Sequence, residues 1–329
     1  MNEFATPAPF APKTFGQILD HTYRLTRTHF KLLVGIAAYP SCLFLLVIGL
    51  LEAVVWVPMI RQWPKPPSPE TLLRYLTPSV IIPVIAVLTL FCLAIFSIYL
   101  AAASYASTQA DSGVKVTIRE SHAVAWRHGG RYLWLLVLCY LYAFLPLLLT
   151  EGSALIGASV FAHRATTANP ALFLLIPLAV LVYIAALVYG IIMGLRLSLS
   201  FPACVEENLT ARAAIRRSFQ LVRGAKGRIF LVVLVIYAVL YAAMMVIELV
   251  AMLLGAIGFF LAMALHAHFT PPWSYVGLSL LGICVFAALI LFISLTYAAL
   301  VTALAVLYHD QRLRNDGPLP APAQAKELP

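Results

Sequence analysis

The chain has 329 residues, 62% of them hydrophobic and only 11% charged, and it carries a formal net charge of +9. That is too little polar material to cover a water-soluble core of this size, which excludes a soluble domain and leaves a polytopic membrane protein. The basic excess is spread along the chain and not gathered in one domain, so nucleic acid is not an expected partner and anionic lipid head groups are.

Residues 1–13 read as a flexible N-terminal tail, and no apolar h-region marks a signal peptide there. Thr14-Phe-Gly-Gln17 is a capping-box pattern. The helix it opens places Phe15, Ile18, Leu19, Thr22, Tyr23 and Leu25 on one half and Gln17, Asp20, His21, Arg24 and Arg27 on the other. Apolar runs follow at 31–59, 80–107, 132–161, 171–200, 229–262 and 275–307. Each exceeds the roughly 20 residues a helix needs to cross a bilayer.

Two further short helices precede the third and fifth runs. Thr117-Ile-Arg-Glu120 repeats the capping box. The segment 209–223 lacks it and sets Arg212, Arg216, Arg217 and Arg223 against Ala211, Ile215, Phe219 and Val222. Basic amphipathic helices beside spans lie in the membrane surface or cap the bundle. Arg24, Arg27, Arg127, Arg212, Arg216, Arg217 and Arg223 are therefore candidate contacts to anionic lipid.

The expected fold class is all-α: a polytopic membrane helix bundle of six transmembrane helices. It is arranged as three repeats of one interfacial amphipathic helix plus two spans, over 14–110, 111–207 and 208–308. The aligned residues Arg27, Arg127 and Arg223 give a period of about 100, far longer than a solenoid repeat. Residues 14–308 form one membrane domain, and 309–329 a flexible cytoplasmic tail. Eighteen of the 22 Lys and Arg fall on the side of the two termini, which predicts cytoplasmic ends.

Cys42, Cys92, Cys139 and Cys284 lie in apolar runs and Cys204 falls on the cytoplasmic side, so packing and not disulfide formation is expected. Gly190-x-x-x-Gly194 permits close helix packing. Pro40, Pro83, Pro146 and Pro177 should kink or interrupt their helices, and Gly255 and Gly258 could break the long fifth run.

Only three acidic residues stand inside the apolar runs: Glu52, Glu151 and Glu248. All lie in odd-numbered runs, 24 or 25 residues beyond the aligned arginines. About 20 residues of helix correspond to roughly 30 Å, so each should reach the outer hydrocarbon boundary. They form either an outer carboxylate cluster facing a shared vestibule, or three independent glutamates that meet interfacial water. His266-x-His268, with His163, is a weaker candidate for metal, and interfacial histidines are its plainer reading. No cofactor or nucleophile motif is visible.

Residues 201–224 read FPACVEENLTARAAIRRSFQLVRG. This segment resembles the membrane-domain family named after glycerophosphoryl diester phosphodiesterase, and related bacterial six-span proteins. The matching residues are Pro202, Glu206, Arg217, Ser218, Phe219, Leu221 and Gly224. Residues 15–30 and 306–317 also resemble the family's ends. The resemblance implies a multi-pass protein of the bacterial plasma membrane. It does not imply phosphodiesterase activity, because the namesake enzymes hydrolyse with a separate barrel domain of about 250 residues. The expected function is membrane-organising or accessory to a membrane or lipid-metabolism component, with membrane lipid and another membrane protein as partners. A transporter or channel for a small cation or amphipathic molecule is the alternative.

Overall fold

The computed structural model describes residues 13–61, 78–164, 175–265 and 271–317. Helices account for nearly all of them, and among the described residues there is no strand. In chain order the helices are α1 (Phe15–Thr28), α2 (Phe30–Arg61), α3 (Pro78–Asp111), α4 (Ile118–Arg127) and α5 (Gly129–Arg164). Then come α6 (Leu175–Leu197), α7 (Ser200–Glu206), α8 (Ala211–Val222), α9 (Lys226–Leu265) and α10 (Pro271–Asp316). Six of these, α2, α3, α5, α6, α9 and α10, are long and apolar enough to cross a membrane, which makes the chain a multi-pass membrane protein.

Both capping boxes form. The Thr14 and Thr117 hydroxyls accept from the N–H of Gln17 and Glu120, whose side chains accept the cap N–H in return. Between α8 and α9 the chain turns at Gly224, with φ +87°, a region that a Cβ would disfavour.

α3 and α10 form the centre. α10 packs against α2, α3 and α9, and α3 against α2 and α5. Without a hydrophobic drive between helices in lipid, such packing rests on close approach and hydrogen bonds. The sequence supplies both. Ala101, Ala102, Ala103 and Ala106 of α3 and Ala298 and Ala303 of α10 are all buried small residues. Tyr99 donates to the Ser294 carbonyl, Ser107 and Thr302 share a hydrogen bond of 3.0 Å, and Ser41 of α2 donates to Ser294 Oγ at 3.1 Å.

Several expectations are corrected here. Of the two effects expected of the prolines, interruption does not occur: the helices run through Pro40, Pro83, Pro146 and Pro177, and α9 through Gly255 and Gly258. α9 therefore has 40 residues, about 60 Å, twice the hydrocarbon thickness. The expected tail from residue 309 begins instead as the last two turns of α10, which ends at Asp316. The packing expected of Cys204 is met: it is fully buried in α7 and donates its thiol to the Leu209 carbonyl. The Gly190–Gly194 pair is split. A Cβ at Gly190 would lie 3.1 Å from the Ala143 carbonyl oxygen of α5, whereas one at Gly194 meets nothing within 4 Å. Only Gly190 is a close-packing glycine.

Candidate functional site

α6 packs chiefly on α5 and α9 chiefly on α10, and these two arms touch each other only over a short stretch. The space between them is a half-open cleft of about 260 Å³, floored by α3 and α10 and walled by α5, α6 and α9. A dry cavity of about 150 Å³ already holds a benzene. Its lining is uncharged and rich in rings: Phe96, Tyr140, Phe144, Phe201, Tyr237 and Tyr297. Tyr297 meets Phe96 edge-on at 5.3 Å, and Tyr140 stacks on Phe144 at 5.4 Å. Tyr140, Phe144 and Tyr237 are 43%, 45% and 48% exposed, so the cleft opens sideways past them.

The depth of the cleft follows from helix geometry. Tyr140 lies nine residues along α5 from Arg131, and Tyr237 nine residues along α9 from Arg228. At 1.5 Å per residue each phenol is about 14 Å above the basic end, near mid-bilayer. Among the described residues the hydroxyls of Tyr140, Tyr237 and Tyr297 have no hydrogen-bond partner. Neither has the fully buried hydroxyl of Ser104 on the cleft floor. Unsatisfied hydroxyls at this depth are costly, so the site has polar capacity to spare.

Below the cleft, the basic end of the bundle is locked by three carboxylates, Asp310 and Asp111 almost fully covered and Glu207 partly so. Asp111, which ends α3, accepts from His21 Nε2 of α1 and His309 Nδ1 of α10, each at 2.5 Å, with Lys13 Nζ at 3.8 Å. Asp310 takes hydrogen bonds from Arg228 of α9, from Arg314 at 2.9 Å and from the Lys13 N–H at 2.7 Å. Glu207 accepts from the Tyr308 hydroxyl at 2.7 Å and from Arg217 Nε at 2.9 Å. Arg217 also pairs with Asp316, and the two carboxylates, Asp316 foremost, raise its guanidinium above the ordinary range. On α4, burial pushes the His122 imidazole below its usual value. The ring packs against Tyr39, with centroids 4.8 Å apart.

The residues singled out from sequence fall in three groups. Arg24, Arg27, Arg127, Arg212, Arg216 and Arg223 are exposed at the basic end, and Arg24 pairs with exposed Asp20 at 3.3 Å. Arg217 departs from the expected lipid-facing arc: it turns inward to the carboxylates of Glu207 and Asp316. The resemblance residues mostly build the junction of α6, α7 and α8. Pro202 and Leu221 are buried, Ser218 donates to the Arg196 carbonyl at 2.6 Å, and the Arg196 guanidinium lies 5.9 Å from the Phe219 ring centre. Gly224 makes the turn, and Glu206 ends α7 beside the more deeply engaged Glu207.

Glu151 and Glu248 are exposed on α5 and α9, and neither has an ion-pair or hydrogen-bond partner among the described residues. Each stands 11 residues beyond a cleft tyrosine, Glu151 beyond Tyr140 and Glu248 beyond Tyr237. Eleven residues are close to three full turns, so each glutamate shares a helix face with its tyrosine, about 16 Å farther on. The Glu52 side chain lies outside the described residues, as do His266 and His268. Among the described residues no group of three His, Cys, Asp or Glu is placed to hold a metal ion. Sequence reasoning missed the cleft and the carboxylate lock altogether.

Comparison of the chain with protein-family models, with curated proteins and with solved structures finds no match.

Proposed function

We propose that this is an integral membrane protein without catalytic activity of its own, which organises the bilayer or serves a membrane or lipid-metabolism component by taking a hydrocarbon chain into its lateral cleft. The observation that carries this reading is the cleft itself: uncharged, half-open to the side and at mid-bilayer depth. Gly194→Trp tests it. The substituted side chain enters open space with no backbone in its way. The lipid that stays bound through detergent exchange, measured by mass spectrometry, should fall severalfold while the thermal unfolding temperature is kept. Undiminished lipid would reject the reading.

A second reading, transport of an amphipathic molecule, is favoured by the shared helix faces of Glu151 with Tyr140 and Glu248 with Tyr237. On this reading the molecule passes along those faces between the cleft and the two carboxylates.

The same proposal includes a bacterial plasma membrane location with the basic end in the cytoplasm, supported by the Lys and Arg asymmetry. It also includes membership in the family that residues 201–224 resemble. The succession of a short helix and two long ones, met three times, supports descent from one repeated unit. The exposed Arg24, Arg27, Arg127, Arg212, Arg216 and Arg223 would then rest on anionic lipid. Because Cys204 is buried, the orientation is best tested at Ser112, exposed in the turn after α3. In a background free of other cysteines, Ser112→Cys should react with a membrane-impermeant maleimide only after the cells are permeabilised. Equal labelling of intact cells would reverse the topology.

A further inference from the structure

We infer that the cleft is a binding site for a lipid-soluble quinone: a flat, neutral ring with a carbonyl at either end, held between hydroxyls, its hydrocarbon tail in the open side of the cleft. The inference rests on the reading of the cleft as a lipid site and names the class of lipid.

The hydroxyls carry it. Ser104 is fully buried on the cleft floor, and its hydroxyl has no partner among the described residues. Those of Tyr140, Tyr237 and Tyr297 have none either. These three phenols line the same cleft, and Tyr297 is close enough to both of the others to interact with them electrostatically. Ser104 stands apart. It lies eight residues along α3 from Phe96, about 12 Å, and the Phe96 ring is the one that meets Tyr297. Unpartnered donors therefore stand toward the two ends of the cleft, with apolar wall between them. A ligand that brings an acceptor to each end recovers hydrogen bonds that the empty cleft leaves unmade.

The rest of the lining narrows the class. No charged side chain is present, so the ligand is neutral. The walls are rings, which favour a flat ring whose electron-poor face meets theirs. A volume of about 260 Å³, against about 150 Å³ for a cavity that holds benzene, takes one substituted ring or a fused pair but not a whole lipid. The tail then leaves past Tyr140, Phe144 and Tyr237, where the cleft is half-exposed. A plain alkyl chain satisfies none of the hydroxyls, and a fatty alcohol reaches one end only.

The experiment uses the full chain in nanodiscs of neutral phosphatidylcholine carrying increasing fractions of a decyl-substituted para-benzoquinone, of decylbenzene, or of decyl phenyl ketone, which has one carbonyl. Affinity is read from the rise in unfolding temperature with probe. Ser104→Ala and Tyr297→Phe remove hydroxyls alone. Without probe both variants should unfold at the wild-type temperature or above it, since each loses a stranded polar group. The quinone should bind the wild type tightest, the ketone less tightly and decylbenzene least. Each substitution should weaken the quinone about fivefold, the effect of one hydrogen bond, and leave decylbenzene unchanged. Equal affinity of the quinone and decylbenzene would overturn the proposal. So would a ketone bound as tightly as the quinone, or a quinone bound equally by the wild type and the double variant. Gly194→Trp separates the two levels. If it abolishes binding of both decylbenzene and the quinone while the hydroxyl variants change nothing, the lipid cleft stands and the quinone does not. If it leaves both probes unaffected, the cleft reading fails as well.

Discussion

Replacing Asp310 with alanine should cost the protein about 3 kcal/mol, the lower end of the range for breaking a buried ion pair. Asp310 is 2% exposed and serves Arg228, Arg314 and the Lys13 N–H together. Its removal leaves two guanidinium groups facing each other at the end of the bundle without a counter-charge. The loss stays at the lower end because their side chains are 22% and 36% exposed, and water can solvate them in part. The matched control is Asp20→Ala, which removes the exposed partner of Arg24 and should stay within about 0.5 kcal/mol. Both can be read as unfolding in mixed micelles under increasing denaturing detergent. Equal effects from the two substitutions would mean that the carboxylates decorate the basic end and do not lock it.

The lock shows where sequence reading stops. The six spans were legible because apolar runs of this length have one stable answer in lipid, and both capping boxes because their partners lie three residues apart. Asp111, His21 and His309 lie 90 and 198 residues from one another, and Lys13 and Asp310 lie 297 apart. Each alone reads as an ordinary polar residue at a membrane boundary. A signal was nonetheless present. Every even-numbered span ends at the basic side in acid: Asp111 after the second, Glu206 and Glu207 after the fourth, Asp310 and Asp316 after the sixth. Acidic residues on the side rich in arginine invite pairing, whereas the three glutamates in the odd-numbered runs drew attention by being isolated. The cleft had no comparable signal. Tyr140 and Tyr237 would look the same in sequence whether α5 and α9 packed together or splayed apart. What separates the arms is the partner each helix packs on, α6 on α5 and α9 on α10, a tertiary property. Even Gly194 reads as one half of a close-packing motif, and only its open surroundings show that it belongs to the cleft.

Asp111 allows a sharper test, because two imidazoles share one carboxylate. Asp111→Asn keeps the shape but leaves one acceptor oxygen and introduces an N–H₂ donor. One histidine then faces a donor, and the positive charge of Lys13 loses its counterpart. The expected cost is about 2–3 kcal/mol, from one lost charge-assisted hydrogen bond and a polar group stranded beside a carboxamide that is nearly buried. His309→Ala should cost less, about 1–2 kcal/mol, since that side chain is 20% exposed and its removal still leaves Asp111 with His21 and Lys13. The double variant is decisive. With the carboxylate already gone, His309 has little left to lose, so the two losses should fall short of additivity by about 1 kcal/mol or more. The same cycle between His309→Ala and Asp20→Ala, which share no partner, should add within about 0.5 kcal/mol. Full additivity in the first cycle would show that α1, α3 and α10 are held together by apolar packing alone, with Asp111 a bystander at their junction.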